Sequence, residues 1–346
     1  MKNKKLLFFL LTFFLVITVF SGWVYISLNK NYYSEDKKEV LFKVSQGDGV
    51  QLIAEDLQKE GIIENSFIFT GYVFLSNKKG SLQAGTYKIE PGMSVIDIVE
   101  LFSSGDVVFE TITIIEGWSL LDISNYFEEK GITTRDEFFN STGISSEQAD
   151  LIGIKKKLPK NFSDFKILRD KPEESSLEGY LFPDTYKIPF ESEADDVLKV
   201  VIANFEDKAY NIVKDSEDIH KIIIMASLLE KEVVSFEDKR KVSDILWRRL
   251  EVGMPLQIDA TVNYVTGKRG IDVTTKETQV DSLYNTYQYK GLPKGPISNP
   301  GIESIKATLD PLENNYWYYL SNPETGKTIF SRNHEEHVQA KNKYLR

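Results

Sequence analysis

The sequence contains no cysteine among its 346 residues and only three histidines, at positions 220, 334 and 337. Without cysteine the chain has no disulfide framework, no thiolate-ligated zinc or iron–sulfur site and no thiol nucleophile. No His-Glu-x-x-His pair is present, so a histidine metal site or a Ser-His-Asp triad is disfavoured. Chemistry must therefore come from carboxylates, hydroxyls, amides, lysine or arginine, and we expect no metal or cofactor.

An excess of basic residues is also missing. The 52 acidic and 42 basic side chains give a formal net charge of −10, and four of the lysines lie within residues 1–30, which contain no acid. The rest of the chain is therefore more acidic still, and nucleic acid is not expected as a partner. The length, with 41% hydrophobic residues, predicts about two globular domains.

One long apolar segment is present near the N-terminus. Residues 6–28 form an uncharged run of 23 residues, and a helix rising about 1.5 Å per residue would cross a hydrocarbon core of about 30 Å. Three lysines within residues 1–5 precede it, so the positive-inside rule places these residues in the cytoplasm and exports everything after Lys30. A cleaved signal peptide is the alternative, but no Ala-x-Ala site follows the run. The sequence predicts a single-pass anchor in the cytoplasmic membrane.

A pattern of a short strand, a glycine and an amphipathic helix occurs three times. The copies begin at Gly47, Gly92 and Gly117, and apolar residues follow three, six, seven and ten positions later. That spacing places them on one face of a helix. The predicted stripes are Val50, Ile53, Ala54 and Leu57; Val95, Ile98, Val99 and Phe102; and Leu120, Ile123, Ser124 and Phe127.

These copies suggest how the exported part is organised. The first two define a small α/β module at residues 38–108, and the third opens a larger domain at residues 109–346. The fold class predicted for the whole chain is α+β, following a single N-terminal transmembrane helix. Residues 135–175 are polar and rich in lysine, and they are expected to form an irregular insertion or a mobile loop.

An acidic residue with apolar and aromatic neighbours lies in the segment SLEGYLFPDTY, residues 176–186. Glu178 stands among Leu177, Tyr180, Leu181 and Phe182, where it would be poorly solvated. Its pKa should rise, and a carboxylic acid that keeps its proton near neutral pH can act as a general acid. A Glu that caps a turn or forms a salt bridge beside a core strand is the alternative.

A second acid falls on the apolar stripe of a predicted helix at residues 218–234. Glu230 lies within the arc defined by Ile219, Ile223 and Ala226. A carboxylate there is costly unless it is paired or faces a cleft. Pairing with an arginine such as Arg240, Arg248 or Arg249 is therefore the alternative to a functional role.

Two further segments carry polar and aromatic side chains suited to carbohydrate. The first is LQIDATVNY, residues 256–264, and the second, residues 282–301, combines Asn and Tyr with several Pro and Gly residues, which predict a shaped loop. Within the second, Asn299 and Pro300 are expected to be the N-cap and first residue of a helix ending near Leu309. Such loops are also common as simple connectors.

Six features follow one another along the chain: an N-terminal anchor, LEGYLFPDTY, ASLLEKE, GMPLQIDATVNY, YNTYQYKGLPKGPISNPG and a late Glu-His. In this order they resemble the endolytic murein transglycosylases of the YceG-like family. The resemblance covers about residues 38–340. It implies that residues 38–108 are a LysM-like peptidoglycan-binding module and that Glu178 is the catalytic acid/base. Ala260 departs from the family pattern, which has proline at that position.

The resemblance also implies a reaction and its partners. A lytic transglycosylase cleaves the β-1,4 bond between N-acetylmuramic acid and N-acetylglucosamine, and the C6 hydroxyl replaces water to leave a 1,6-anhydro end. One carboxyl can serve both proton transfers. Nascent glycan strands would be the substrate, and peptidoglycan synthases are potential partners. The residues expected to line the glycan cleft are Glu230, Gln257, Asp259, Asn285 and Tyr287.

Two other functions remain open at this point. The chain could be a tethered wall-binding scaffold that positions synthases without turnover. It could also be a hydrolase that uses water, with Asp184 or Glu230 as the base. The products distinguish the three: anhydro ends indicate a transglycosylase, reducing ends a hydrolase, and the absence of a product a scaffold.

Overall fold

The computed structural model describes residues 2–30, 33, 38–268, 273–322 and 325–345. Met1 and the side chains of Lys2 and Lys4, from the predicted cytoplasmic segment, lie outside the described part, as do residues 323–324. Two units are present. Unit 1 comprises Met1–Thr111 and Lys187–Glu191, and unit 2 comprises Ile112–Tyr186 and Ser192–Arg346.

Unit 1 begins with the apolar helix predicted from the sequence. Helix α1 (Lys2–Asn29) contains one stretch, Lys5–Asn29, that is long and apolar enough to cross a membrane. It is followed by β1 (Val40–Val44), α2 (Val50–Lys59), α3 (Ser66–Leu75), β2 (Gly85–Ile89) and α4 (Val95–Ser104).

The core of unit 1 lies between its two-stranded sheet and its helices. Strands β1 and β2 are antiparallel, with Phe42 opposite Tyr87. Both side chains are buried against Phe102 of α4, and Phe102 also contacts Phe69 of α3. Burial of four aromatic rings contributes much of the stabilisation available to so small a unit.

The threefold pattern is confirmed. In α2, α4 and α5 (Leu120–Glu129) the buried side chains are the twelve predicted from the spacing. Each copy uses its glycine at a positive φ, between 77° and 92°, in the turn that enters the helix. Strand β3 (Phe109–Thr113) precedes α5 and forms a two-stranded sheet with β6 (Thr185–Pro189).

The expectation of an irregular insertion at residues 135–175 is wrong. The segment contains α6 (Arg135–Thr142), β4 (Gly143–Ile144), α7 (Ser146–Leu151) and β5 (Lys157–Pro159). A capping box between Thr134 and Glu137 starts α6, and Phe138 and Phe139 are fully buried. Two adjacent aromatic residues in a short polar helix give little periodicity, which is why the sequence pattern did not predict it.

The rest of unit 2 is mainly helical around a second core. Helix α9 (Ile219–Glu232) packs against α10 (Phe236–Glu251) and α12 (Ile302–Leu309). The core includes Met225, Leu228, Leu246 and Leu256. The two-stranded sheet near the C-terminus is antiparallel. The remaining elements are α8 (Ala194–Val213), α11 (Asp259–Thr266), β7 (Tyr318–Ser321), β8 (Thr328–Ser331) and α13 (His334–Tyr344). The mixed α+β class is confirmed.

Candidate active site

The Glu178 loop is a deeply buried irregular segment of unit 2. Every residue from Leu177 to Phe182 is buried, and Glu178 itself is only 2% exposed. Gly179 makes this packing possible, because its φ is +87° and an added Cβ would lie 2.6 Å from Cβ of Pro296. The loop is therefore pressed against the proline-rich segment that the sequence identified as a shaped loop.

Three donors from distant parts of the chain converge on the Glu178 carboxyl group. The backbone N–H of Leu120 lies 3.1 Å from each oxygen, and Leu120 is the first residue of α5. The Tyr264 hydroxyl donates to Oε2 at 3.3 Å, and Nδ2 of Asn299 donates to Oε1 at 3.3 Å. The N-terminus of a helix, a phenol and an amide are thus all directed at one acid.

Burial dominates the electrostatics of this acid. It raises the pKa of Glu178 from 4.5 to about 8, and the charge of Asp122 raises it further. Hydrogen bonds from Leu120 and Tyr264 act in the opposite direction, because they favour the carboxylate. The carboxyl group therefore keeps its proton at neutral pH. The three donors are positioned to stabilise the carboxylate when the proton is lost. The sequence-based expectation of a raised pKa agrees with this environment.

Asn299 and Tyr264 were not identified as site residues from the sequence. Helix α12 begins at Ile302 with Gly301 as its N-cap, so the prediction that Asn299 caps it is wrong. Its Oδ1 instead accepts from the Leu181 N–H, and its Nδ2 also donates to the Trp118 carbonyl. Asn299 therefore joins the Glu178 loop to the start of α5. An Asn-Pro pair before a helix usually indicates a cap, which hid this role.

Glu230 is held within a compact ionic cluster in unit 2. It pairs with Nζ of Lys239 at 3.1 Å, and their side chains are 8% and 5% exposed. Its Oε2 accepts from the Gly301 N–H at 2.9 Å and from Oγ of Ser304 at 2.7 Å. The partner is a lysine rather than one of the arginines considered from the sequence. These bonds tie α9 to α10 and to the start of α12.

The other predicted cleft residues divide into two kinds. Gln257 is exposed and has a φ of +56°, which is strained for a residue other than glycine. Asp259 accepts a hydrogen bond from the Tyr287 hydroxyl, which brings two predicted residues together. Asn285 is 1% exposed, and its side chain bonds the carbonyls of Thr278 and Val280. Asn285 thus shapes its own loop.

A second acid with a raised pKa was not predicted. Burial raises the pKa of Glu232 to about 7, and the nearby charge of Asp259 adds to the effect. Glu232 accepts from the Tyr319 hydroxyl at 3.0 Å and from the backbone N–H of Ala260. The latter bond satisfies an amide in the first turn of α11, which has no side-chain cap of its own. Glu232 therefore helps to fix the helix that carries Tyr264.

The hydrolase alternative needs a free second carboxylate. Asp184 accepts from Nζ of Lys208 at 2.7 Å and from Nδ2 of Asn204 at 2.9 Å, and these bonds hold its pKa below the usual range. Both candidate bases, Asp184 and Glu230, are thus engaged by lysines. Within the described ranges, no group of three or more histidines or carboxylates is placed to hold a metal ion.

Comparison with known proteins gives consistent results. The profile of the YceG-like family matches residues 42–343. An endolytic murein transglycosylase of Bacillus subtilis (strain 168) is 31% identical over 327 residues, which cover 92% of this chain and 88% of that protein. An endolytic murein transglycosylase of Streptococcus pneumoniae serotype 2 is 28% identical over 88% of this chain, which spans 58% of that longer protein.

A solved structure agrees with the sequence comparisons. The 2.6 Å crystal structure of a YceG-like protein from Listeria monocytogenes is 29% identical and has a TM-score of 0.56, covering 88% of this chain and 100% of that one. The family resemblance inferred from the motifs is confirmed. The chain belongs to the YceG-like family.

Proposed function

We propose that this protein is an endolytic peptidoglycan lytic transglycosylase, a lyase that cleaves the β-1,4 bond between N-acetylmuramic acid and N-acetylglucosamine. The names of its relatives in Bacillus subtilis and Streptococcus pneumoniae support the class of activity. The observation that carries the chemistry is Glu178, a buried acid with a pKa of about 8 beneath three hydrogen-bond donors.

The reaction uses one carboxyl group twice. Protonated Glu178 gives its proton to the glycosidic oxygen as the bond from C1 of N-acetylmuramic acid breaks, so the N-acetylglucosamine side leaves as an alcohol. The resulting carboxylate, stabilised by Leu120, Tyr264 and Asn299, then removes the proton from the C6 hydroxyl of the same muramic acid. That oxygen bonds to C1 and closes the 1,6-anhydro ring. Glu178 is protonated again, and no water is consumed.

The remaining predicted residues are assigned to glycan binding. Gln257, Asp259 and Tyr287 carry exposed or partly exposed polar groups on neighbouring segments, and we assign them to the sugar-binding surface. Glu230 and Asn285 were predicted for the same surface. Their side chains are occupied by protein partners, so their contribution would be to shape the segments that bind the glycan.

Helix α1 supports a location at the membrane. Residues 6–28 would anchor the chain in the cytoplasmic membrane by a single pass, with residues 1–5 in the cytoplasm and both units exported. Residues 38–108 would act as a LysM-like module that binds peptidoglycan. Cleavage of nascent strands next to the membrane would end their elongation. Peptidoglycan synthases, which make these strands, would be the partner proteins.

One observation favours the scaffold as a second candidate function. Glu178 is only 2% exposed, and a catalytic acid must reach its substrate. A wall-binding protein that positions synthases without turnover would not need that access. In the enzyme, the glycan would have to displace part of the cover over Glu178 when it binds.

Muropeptide mass spectrometry separates these functions. The full-length chain, reconstituted in lipid nanodiscs, is incubated with uncrosslinked glycan strands in parallel with its Glu178→Gln variant. Anhydro-ended fragments from the native chain alone are the expected result. Equal cleavage by both proteins would remove Glu178 from the mechanism, whereas binding without cleavage by either would identify a scaffold.

A further inference from the structure

Helix α3 of unit 1 carries an apolar face that faces away from its own core. Phe67, Phe74 and Leu75 are 85%, 54% and 87% exposed. On the opposite side, Phe69 and Val73 are completely buried. Phe67 and Phe74 are seven residues apart, which is about two helical turns, so both rings project from the same side of α3. Large aromatic groups are not left in water without cost.

The start of α3 lies beside the C-terminal end of α1. Asn65 and Ile68 line one crevice together with Trp23 and Ser27 of α1. Trp23 stands five residues before Leu28, the last residue of the predicted span, or about 7.5 Å along the helix axis. Tryptophan at such a position marks the boundary between hydrocarbon and headgroups. The beginning of α3, including Phe67, is therefore at the level of the headgroups if α1 spans the membrane.

The charges at the far end of α3 fit the same surroundings. Lys78 and Lys79 follow Leu75, the last residue of the helix, after two intervening residues. Lys78 pairs with Glu100, and Nζ of Lys79 lies over the ring of Phe74 at 5.2 Å from its centroid. The ammonium group thus lies against an aromatic face, and a long lysine side chain beside apolar groups can keep its charge in the polar layer of a membrane surface. No acidic residue occurs within Ser66–Leu75.

We propose that the exposed face of α3 inserts into the outer surface of the cytoplasmic membrane, with Phe67, Phe74 and Leu75 among the lipid headgroups and upper acyl chains. This interfacial contact extends the membrane contact of α1, and it rests on the proposed membrane anchor. It would hold unit 1 against the bilayer. Lipid is the occupant because α3 packs against α1, the helix whose apolar surface would lie in the bilayer.

The test uses the absence of cysteine, since a single introduced thiol can be labelled without side reactions. Full-length variants Phe67→Cys and Phe74→Cys are labelled with the environment-sensitive dye NBD. They are reconstituted into vesicles of phosphatidylcholine and phosphatidylglycerol that carry a nitroxide quencher either near the headgroup or deep in the acyl chain. Leu15→Cys, in the middle of α1, reports on the anchor itself.

Leu41→Cys is the matched control. Leu41 is an exposed apolar residue of unit 1, 48% exposed, and it lies on β1 opposite Lys88. The expected result is a blue shift and loss of emission at positions 67 and 74 with the shallow quencher, loss at position 15 with the deep quencher, and no change at position 41.

Each other outcome overturns the proposal in a distinguishable way. Quenching at position 15 without quenching at 67 and 74 would leave the anchor intact and remove the interfacial helix. A blue shift at 67 and 74 without lipid quenching would show that protein, such as a second copy of the chain, covers α3. No quenching at position 15 would refute the anchor on which the proposal rests.

Discussion

The Tyr264 hydroxyl donates a hydrogen bond to Oε2 of Glu178 at a distance of 3.3 Å. Burial raises the pKa of Tyr264 well above its usual value, so the phenol keeps its proton and remains a donor. The bond is worth more to the carboxylate than to the neutral acid. In the proposed reaction, Tyr264 would therefore stabilise the carboxylate that exists between the two proton transfers, while burial would favour the protonated acid that begins the reaction.

The first prediction concerns the Tyr264→Phe variant. Loss of the donor should raise the pKa of Glu178 and move the alkaline limb of the kcat/KM profile to higher pH. We also expect kcat to fall roughly tenfold or more, because a hydrogen bond to a charged group contributes about 1.5–3 kcal/mol. Tyr186→Phe is the matched control, since it removes another buried hydroxyl that does not touch Glu178. An unmoved limb in Tyr264→Phe would contradict this role.

The second prediction links Glu178 to stability. The folded-state pKa of about 8 lies above the ordinary value of 4.5, so the folded chain binds an extra proton between these pH values. Native stability is therefore retained below the lower value and lost as pH rises through the upper one. Glu178→Gln cannot ionise and escapes this loss.

Thermal unfolding measures that difference directly. The Tm of Glu178→Gln minus the Tm of the native chain should increase from about pH 5 to about pH 9. Glu232, whose pKa is raised to about 7, titrates in both proteins and so largely cancels in the difference. A difference that stays constant across this range would mean that Glu178 is ionised in the folded chain.

The third prediction distinguishes a structural Glu230 from one that binds glycan. Glu230→Ala leaves the Lys239 ammonium buried without its partner and should destabilise the chain by about 3–5 kcal/mol. The double variant Glu230→Met/Lys239→Met should recover much of that loss with KM close to the native value. Chemical denaturation and kinetics measure the two effects. A double variant with recovered stability and a strongly raised KM would instead show direct glycan binding by Glu230.

The fourth prediction uses the strained backbone of Gln257. Gln257→Gly should stabilise the chain by about 0.5–1 kcal/mol, because glycine adopts positive φ without strain. If the amide contacts the glycan, KM should rise, and Gln257→Asn should retain part of the affinity. Glu191→Gly is the control, since Glu191 also has a positive φ but lies in unit 1. An unchanged KM in Gln257→Gly would remove Gln257 from the glycan-binding surface.

Local patterns predicted much of this fold. The spacing after Gly47, Gly92 and Gly117 specified every buried side chain of three helices, because a one-sided apolar stripe has few other structural solutions. The same reasoning identified Glu178, an acid within an apolar and aromatic segment. Each of these inferences depends on neighbours within about ten residues.

The partners of Glu178 could not be predicted in this way. Tyr264 lies 86 residues after it, and Asn299 lies 121 residues after it. Which polar side chains meet an acid is decided by how helices and loops pack, and no local spacing reports that. Glu230 shows the same limit for a residue that the sequence did identify. A carboxylate on an apolar helix face can be paired or can face a cleft, and local spacing did not indicate that its partner is Lys239.

The most direct test of the account is the fate of solvent oxygen during cleavage. Glycan strands are digested by the full-length chain in water enriched in oxygen-18, and the products are analysed by mass spectrometry. A lytic reaction through Glu178 predicts fragments whose masses sum to that of the substrate, with anhydro ends free of heavy oxygen and no such fragments from Glu178→Gln. Reducing ends that carry oxygen-18 would contradict the account, because they would show that water attacks C1 in place of the C6 hydroxyl.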